Sequence, residues 1–167
     1  MAIILVTGGA RSGKSVRAET RVRAFAGQPV YIATAEALDS EMRERIARHR
    51  ARRGGDWREF ETPLDLVATL GETDGGGARL VDCLTLWLSN LIHAERDWDR
   101  ETTQLANALR GQKSPVVLVT NEVGLGIVPN NALARRFRDA AGIMNQMIAV
   151  VADEVEFVVA GLPMRVK

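Results

Sequence analysis

Apolar residues in this chain fall into two alternating patterns: short unbroken runs, and longer stretches where they recur every three or four positions. Unbroken runs rich in β-branched residues are the form taken by strands buried on both faces, and three-to-four spacing marks one face of a helix, so the alternation predicts a parallel sheet layered with helices. Five strands are expected, at Ile3 to Thr7, Val30 to Ala33, Arg79 to Asp82, Val116 to Thr120 and Val155 to Ala160. Between them the pattern predicts five helices. One runs from a glycine-rich turn near residue 14 to about Ala26, and one from Asp39, a possible cap, to near Gly54-Gly55; the others cover Leu84 to His93, Asp99 to Leu109, and about Asn131 to Ala152. In the last helix Leu133, Phe137, Ala140, Met144, Met147 and Val151 form a stripe expected to face the sheet. Arg52-Arg53-Gly54-Gly55-Asp56 and Gly71 to Gly77 read as glycine-rich loops, the second as a mobile surface connection.

The first strand leads into Gly8-Gly9-Ala10-Arg11-Ser12-Gly13-Lys14-Ser15, which fits G-x-x-x-x-G-K-[ST]. Glycines let the backbone curl so that successive N–H groups point at phosphate oxygens, and the helix that follows adds its positive end. Lys14 would reach the β/γ-phosphates, and the Ser15 hydroxyl would hold Mg²⁺. The fold class expected is α/β: a single domain over residues 1–167 with a mostly parallel P-loop NTPase-like (RecA-like) sheet and helices on both faces.

Composition narrows the partners. With 46% hydrophobic and 26% charged residues and a net charge of +1, nothing pulls the whole chain toward nucleic acid or a membrane. The single Cys83 excludes an internal disulfide framework, no stretch is long enough to span a bilayer, and the first apolar run is too short for a signal peptide, so a cytoplasmic protein is expected.

Phosphoryl transfer on such a loop needs a metal-holding carboxylate, usually an Asp ending a neighbouring strand. Asp82 ends one predicted strand and would lie beside Ser15 if the two strands are neighbours; the alternative is a cap for the helix at Leu84. Glu122 lies in Asn121-Glu122-Val123-Gly124-Leu125-Gly126-Ile127-Val128-Pro129-Asn130, directly after a strand, where it either faces the ligand or belongs to a tight turn. Six arginines (43, 45, 48, 50, 52 and 53) and one acid, Glu44, surround His49 within residues 42–53. Such a run is ordinarily a solvated helix face, but it also suits a polyphosphate. Nearby like charge favours the neutral imidazole, the form able to attack phosphorus. His93, ending an apolar helix, reads as structural.

Taken together, the segments 7–15, Tyr31-Ile32-Ala33-Thr34-Ala35, Arg45 to Arg50, Asp82 to Leu91, Thr120 to Pro129, Leu133 to Gly142 and Ala152 to Gly161 resemble the bifunctional adenosylcobinamide kinase/adenosylcobinamide-phosphate guanylyltransferase family of cobalamin biosynthesis. The resemblance implies two reactions. ATP or GTP phosphorylates the aminopropanol hydroxyl of adenosylcobinamide; GTP then donates GMP to adenosylcobinamide phosphate through a GMP-histidine intermediate, which matches His49 here. It further implies nucleotide contacts at Gly8, Gly9, Ala10, Arg11, Ser12, Gly13, Lys14, Ser15, Ala33, Thr34, Ala35, Arg50, Ala51, Arg52, Arg53, Glu61 and Asp82, with Mg²⁺ on Ser15 and Asp82, and a homotrimer. The role of Glu61 comes from the resemblance alone. Two rivals stand beside it: a simple small-molecule kinase with a structural His49, and a nucleotide-dependent switch. Against the switch, no Asn-Lys-x-Asp guanine-reading run occurs.

Overall fold

A computed structural model describes residues 1–36 and 40–167, without the side chains of Glu41, Met42, Arg45, Ile46, His49 and Arg52. The elements run β1 (Ile3–Gly8), α1 (Lys14–Arg23), β2 (Val30–Ala33), α2 (Ser40–Arg53), β3 (Arg58–Glu61), α3 (Leu66–Glu72), β4 (Arg79–Asp82), α4 (Leu84–His93), α5 (Trp98–Arg110), β5 (Val116–Asn121), α6 (Ala132–Val151), β6 (Glu154–Val159) and β7 (Leu162–Arg165). They form one seven-stranded sheet in the order β3-β2-β4-β5-β1-β6-β7. Every neighbouring pair is parallel except β6 and β7.

Alternation along the strands divides the core in two. Ile3, Leu5, Ile32, Val81, Val116 and Leu118 join a large cluster with residues of α3, α4, α5 and α6. Ile4, Val6, Leu80, Val117 and Val119 pack on the other face with Ala18 and Val22 of α1. Because consecutive side chains of a strand point to opposite faces, a strand between two helical layers must be apolar at every position. β1 meets this with Ile3, Ile4, Leu5 and Val6, all at most 3% exposed. The fully buried Trp87 donates its indole N–H to the Leu64 carbonyl at 2.8 Å.

All five expected strands form, but three elements escape the apolar pattern. β3 is the charged edge strand Arg-Glu-Phe-Glu, β7 is the opposite, exposed edge, and α3 contains Gly71, which the sequence placed in a loop. Charged side chains on an edge discourage pairing with another chain, and the same charge hides the strand from hydropathy. Residues 73–77 are not a free connection, because Asp74 accepts from Arg79 Nη1 at 3.0 Å and from the Lys113 and Ser114 N–H groups at 3.0 and 2.9 Å. Arg53 ends α2 and is buried, where a loop was expected. α1 stops at Arg23, before a turn in which Gly27 has φ 95°. In α6 the core-facing stripe is Phe137, Ala140, Ala141, Met144, Ile148 and Val151, while Leu133, in the first turn, is 55% exposed. The expected cap at Asp39 lies outside the described residues.

α1 is fastened to β6 by charge. Glu156, with a side chain 6% exposed, accepts from Arg17 Nε and Nη2, both at 2.7 Å, and from Arg21 Nη1 at 3.0 Å. The hydrogen bonds from Arg17 hold the Glu156 carboxyl below the ordinary carboxylate range against the opposing effect of burial. A carboxylate with a depressed folded pKa stabilises fully above its unfolded value and loses that contribution as pH falls through the lower folded value. Replacing Glu156 with Gln is expected to destabilise the fold by about 1.5–3 kcal/mol at neutral pH, the range for hydrogen bonds to charged groups. In thermal melts the gap between wild type and Glu156→Gln should close as pH falls below about 4.

Candidate active site

Parallel pairing brings the carboxyl ends of the central strands to one edge of the sheet. In register, Glu61 lies beside Ala33, Ala33 beside Asp82, Asp82 beside Val119 and Val119 beside Val6. Gly8 stands two residues past Val6, so the phosphate-loop motif rises above this row. Crevices outside the carboxyl ends of parallel strands are where open α/β sheets bind ligands.

The loop from Gly8 to Gly13 is held from three sides. The Gly8 carbonyl accepts the Glu122 N–H at 3.1 Å, the Ser12 carbonyl accepts the Gly161 N–H at 2.8 Å, and Lys14 Nζ donates to the Gly9 carbonyl at 3.0 Å. A Cβ at Gly8 would lie 2.6 Å from both the Val158 carbonyl oxygen and Ser12 Oγ. Gly13 caps α1 at φ 96° and would meet Gly161 Cα at 3.0 Å. Both positions therefore need glycine: one for space, the other for a left-handed conformation. Gly9, Ala10 and Arg11 complete the turn, and Arg11 takes φ 55°. The loop walls a cleft of about 490 Å³ with Glu122 to Gly126 and Phe157 to Ala160. Glu122 has both features weighed from the sequence, since it faces this cleft and its Oε1 accepts the Gly124 N–H within a tight turn.

The adjacency on which the expected meeting of Asp82 and Ser15 depended is absent: β5 lies between β4 and β1, so the two strands are not neighbours, while α1, which the loop feeds, packs across both β4 and β5. Burial and then the adjacent Asp82 charge push the Cys83 thiol up to about 11, against the Leu86 and Thr85 N–H groups and the Lys14 ammonium, which pull it down. Asp82 is not the cap of α4: Cys83 holds that position. The half-buried Ser15 hydroxyl and the Asp82 carboxylate are hard oxygen donors, and no group of three His, Cys, Asp or Glu converges among the described residues. One hydroxyl and one carboxylate, completed by phosphate oxygens and water, is a set suited to Mg²⁺.

The other named positions divide into two groups. Ala33 and Ala35 are half-buried at the end of β2, but Thr34 is fully buried. Its hydroxyl donates to the Cys83 carbonyl at 2.7 Å and accepts the Cys83 N–H at 2.8 Å. Thr34 thus clips β2 to the start of α4 and offers no side chain to a ligand. On α2, Arg50 Nε donates to Glu59 Oε2 at 2.7 Å and Arg53 Nη2 to Glu59 Oε1 at 2.8 Å, while Arg50 Nη2 lies 3.8 Å from Glu61. Partial burial raises Glu59, but hydrogen bonds from Arg50 and Arg53 carry it below its ordinary range. Glu61 and Ala51 are exposed. The side chains of His49 and Arg52 lie outside the described residues; the backbone places His49 one helical turn before Arg53. His93 is exposed, its Nδ1–H donating to the Ser89 carbonyl at 2.8 Å as the last turn of α4 favours.

Two side chains that the sequence reading passed over tie these groups together. The Arg53 guanidinium lies 3.4 Å from the centroid of the Tyr31 ring, and the Tyr31 hydroxyl donates to Asp82 Oδ2 at 3.0 Å. Burial, then the Asp82 charge, raises the Tyr31 pKa, so the hydroxyl stays a donor. Arg53 is 5% exposed, and its Nε and Nη1 have no hydrogen-bond partner among the described residues. Glu59 completes the seat. A signal for both was present: the chain's one tyrosine sits in an otherwise aliphatic strand, where a buried hydroxyl needs a partner, and Glu59 alternates with Phe60 beside an arginine cluster.

Solved structures share the architecture. The chain resembles a type III secretion system ATPase of pathogenic bacteria (TM-score 0.58, 10% identity, 98% of this chain and 56% of that one) and a structure from Pyrococcus horikoshii (0.56, 9%, 99% and 86%). It also resembles the flagellar accessory protein FlaH of Methanocaldococcus jannaschii (0.53, 12%, 93% and 70%). At these identities the likeness concerns the fold. Sequence relatives are nearer. The bifunctional adenosylcobalamin biosynthesis protein CobP of Pseudomonas aeruginosa is 51% identical across 98% of this chain and 96% of its own length. The CobU proteins of Salmonella typhimurium and Escherichia coli, described in the same words, are 44% and 41% identical across 99% of both chains. The family model for cobinamide kinase / cobinamide phosphate guanyltransferase matches residues 4–166, and the chain belongs to that family.

Proposed function

We propose that one domain, residues 1–167, performs two transfers on one acceptor. In the first, the aminopropanol hydroxyl of adenosylcobinamide takes the γ-phosphoryl group of ATP or GTP. In the second, GMP from GTP joins the phosphate just made, giving adenosylcobinamide-GDP and pyrophosphate. The observation that carries this reading is the chain of contacts from Asp82 through Tyr31 to Arg53, which joins the β4 end, on the same sheet edge as the phosphate loop, to an arginine-bearing helix. A kinase alone needs the loop and the carboxylate; it leaves the buried Arg53 at the end of a second cationic element without a role.

For phosphoryl transfer, backbone N–H groups of residues 9–14 and the Lys14 ammonium would hold the β/γ-phosphates, and Ser15 and Asp82 would hold Mg²⁺, which neutralises charge developing on the phosphoryl oxygens. For guanylyl transfer, an imidazole nitrogen of His49 would attack the α-phosphorus as the bond from that phosphorus to the α,β-bridging oxygen breaks and pyrophosphate leaves with that oxygen. An oxygen of adenosylcobinamide phosphate would then attack the same phosphorus and release the imidazole. Arg50 and Arg53 would face the charge passing through this step, and Glu59 would hold them in place. We further infer a cytoplasmic homotrimer without a nucleic-acid partner. No helix among the described residues is long and apolar enough to cross a membrane.

The test is to incubate purified protein with adenosylcobinamide, GTP and Mg²⁺ and resolve the corrinoid products by mass spectrometry. Wild type should yield adenosylcobinamide-GDP. His49→Ala should stop at adenosylcobinamide phosphate with near-normal yield, while Lys14→Ala should lower phosphate formation by about 100-fold or more, as loss of a positioned charge in a transfer site does. Formation of adenosylcobinamide-GDP by His49→Ala would remove the histidine from the reaction. A second expectation concerns Gly8→Ala: its Cβ cannot be placed against the Val158 carbonyl, so nucleotide binding by calorimetry should fall at least about 10-fold as the loop is displaced.

A further inference from the structure

Resting on the reading of Asp82 as a metal-holding carboxylate, we propose that Tyr31 is a positioning residue for both transfers, with its two chemical ends assigned to different halves of the site. The hydroxyl serves the phosphoryl half. It donates to Asp82 Oδ2 at 3.0 Å and so fixes the carboxylate plane. The ring serves the guanylyl half. Its face carries the Arg53 guanidinium at 3.4 Å, and Arg53 is held at its other end by Glu59 at 2.8 Å.

Neighbouring contacts keep the residue in place. Tyr31 is 7% exposed and meets Trp57 edge-on at a centroid distance of 6.2 Å. Trp57 in turn lies under Arg23 of α1, and Arg23 Nη2 donates to the Arg53 carbonyl at 2.7 Å. The last turn of α2 is therefore fixed by its carbonyl to α1, by its guanidinium to the Tyr31 ring and by Glu59 to β3. α2 also carries His49, one turn upstream, so a shift of the Arg53 seat moves the backbone of the nucleophile. One rigid aromatic side chain thereby sets the distance between the carboxylate of one reaction and the helix of the other.

The two ends of Tyr31 predict a double dissociation. Mn²⁺ is titrated by electron paramagnetic resonance into protein saturated with the β,γ-imido analogue of ATP, and retention of label from GTP carrying ³²P at the α-phosphate is measured separately. Tyr31→Phe keeps the ring and loses the hydroxyl. It should weaken Mn²⁺ binding about 10-fold, the lower end for loss of a group that orients a metal ligand, with label retention within about twofold of wild type. Glu59→Gln loosens Arg53 without touching Tyr31, and should give the opposite result: Mn²⁺ affinity unchanged and label retention reduced about 10-fold, the scale for a misplaced catalytic group. Tyr31→Phe that binds Mn²⁺ as tightly as wild type, while Asp82→Asn does not, overturns the proposal and leaves the metal assignment standing. Equal binding by Asp82→Asn overturns both. Loss of label retention in Tyr31→Phe, or none in Glu59→Gln, contradicts the division of roles.

Discussion

The whole site depends on how closely the backbone of residues 8–13 can approach its neighbours. At Gly8 there is no room for a Cβ between Ser12 and the Val158 carbonyl, and Gly13 turns left-handed against Gly161 at the start of α1. These contacts tie the loop to β6 and to the residues after it, and the Glu122 N–H ties it to the end of β5. The loop is thus shaped by the two strands flanking β1 rather than by its own sequence alone. The paired charges between Arg17, Arg21 and Glu156 then hold α1, which the loop feeds, on the same strand. With loop and helix both fixed on β6, the buried Lys14 turns back over the loop, its Nζ donating to the Gly9 carbonyl at 3.0 Å.

From that anchor the site extends toward the other edge of the sheet. Asp82 leads to Tyr31, Tyr31 to Arg53 and Arg53 to Glu59, which crosses β4, β2, α2 and β3 in turn. A buried guanidinium is tolerated only where charge and hydrogen bonding compensate its desolvation. Glu59 supplies one carboxylate oxygen and the Tyr31 face a second, weaker contact, while Nε and Nη1 have no hydrogen-bond partner among the described residues. The structural pair of Arg79 with Asp74 shares such a shortfall at Arg79 Nε, so what sets Arg53 apart is its place on the arginine-bearing helix, joined through Tyr31 to Asp82.

The sequence carried the central strands and the phosphate loop, because each is dictated locally, by burial on both faces or by a backbone that only glycine permits. It also singled out the helix bearing His49. Its account weakened where partners are distant in the chain. Thr34 carries a polar side chain next to the β2 end and invited a ligand role, yet its hydroxyl is spent on Cys83, 49 residues away. The strand order, with β5 between β1 and β4, cannot be read from periodicity, so the strand adjacency on which the expected proximity of Ser15 and Asp82 depended does not occur. β3 hid behind its charge, and with it the role of Glu59 in holding the cluster that looked, in one dimension, like a solvated arginine face.

The central claim, that one chain attacks both ends of a triphosphate, is tested most directly without the corrinoid. GTP labelled with ³²P at the α-phosphate, and in a parallel sample at the γ-phosphate, is incubated with the purified protein and Mg²⁺, and the protein is then separated and counted. The account predicts that only the α-label stays, as an acid-labile, alkali-stable adduct absent from His49→Ala. Retention of neither label by a protein that still phosphorylates adenosylcobinamide would contradict it and leave a kinase alone.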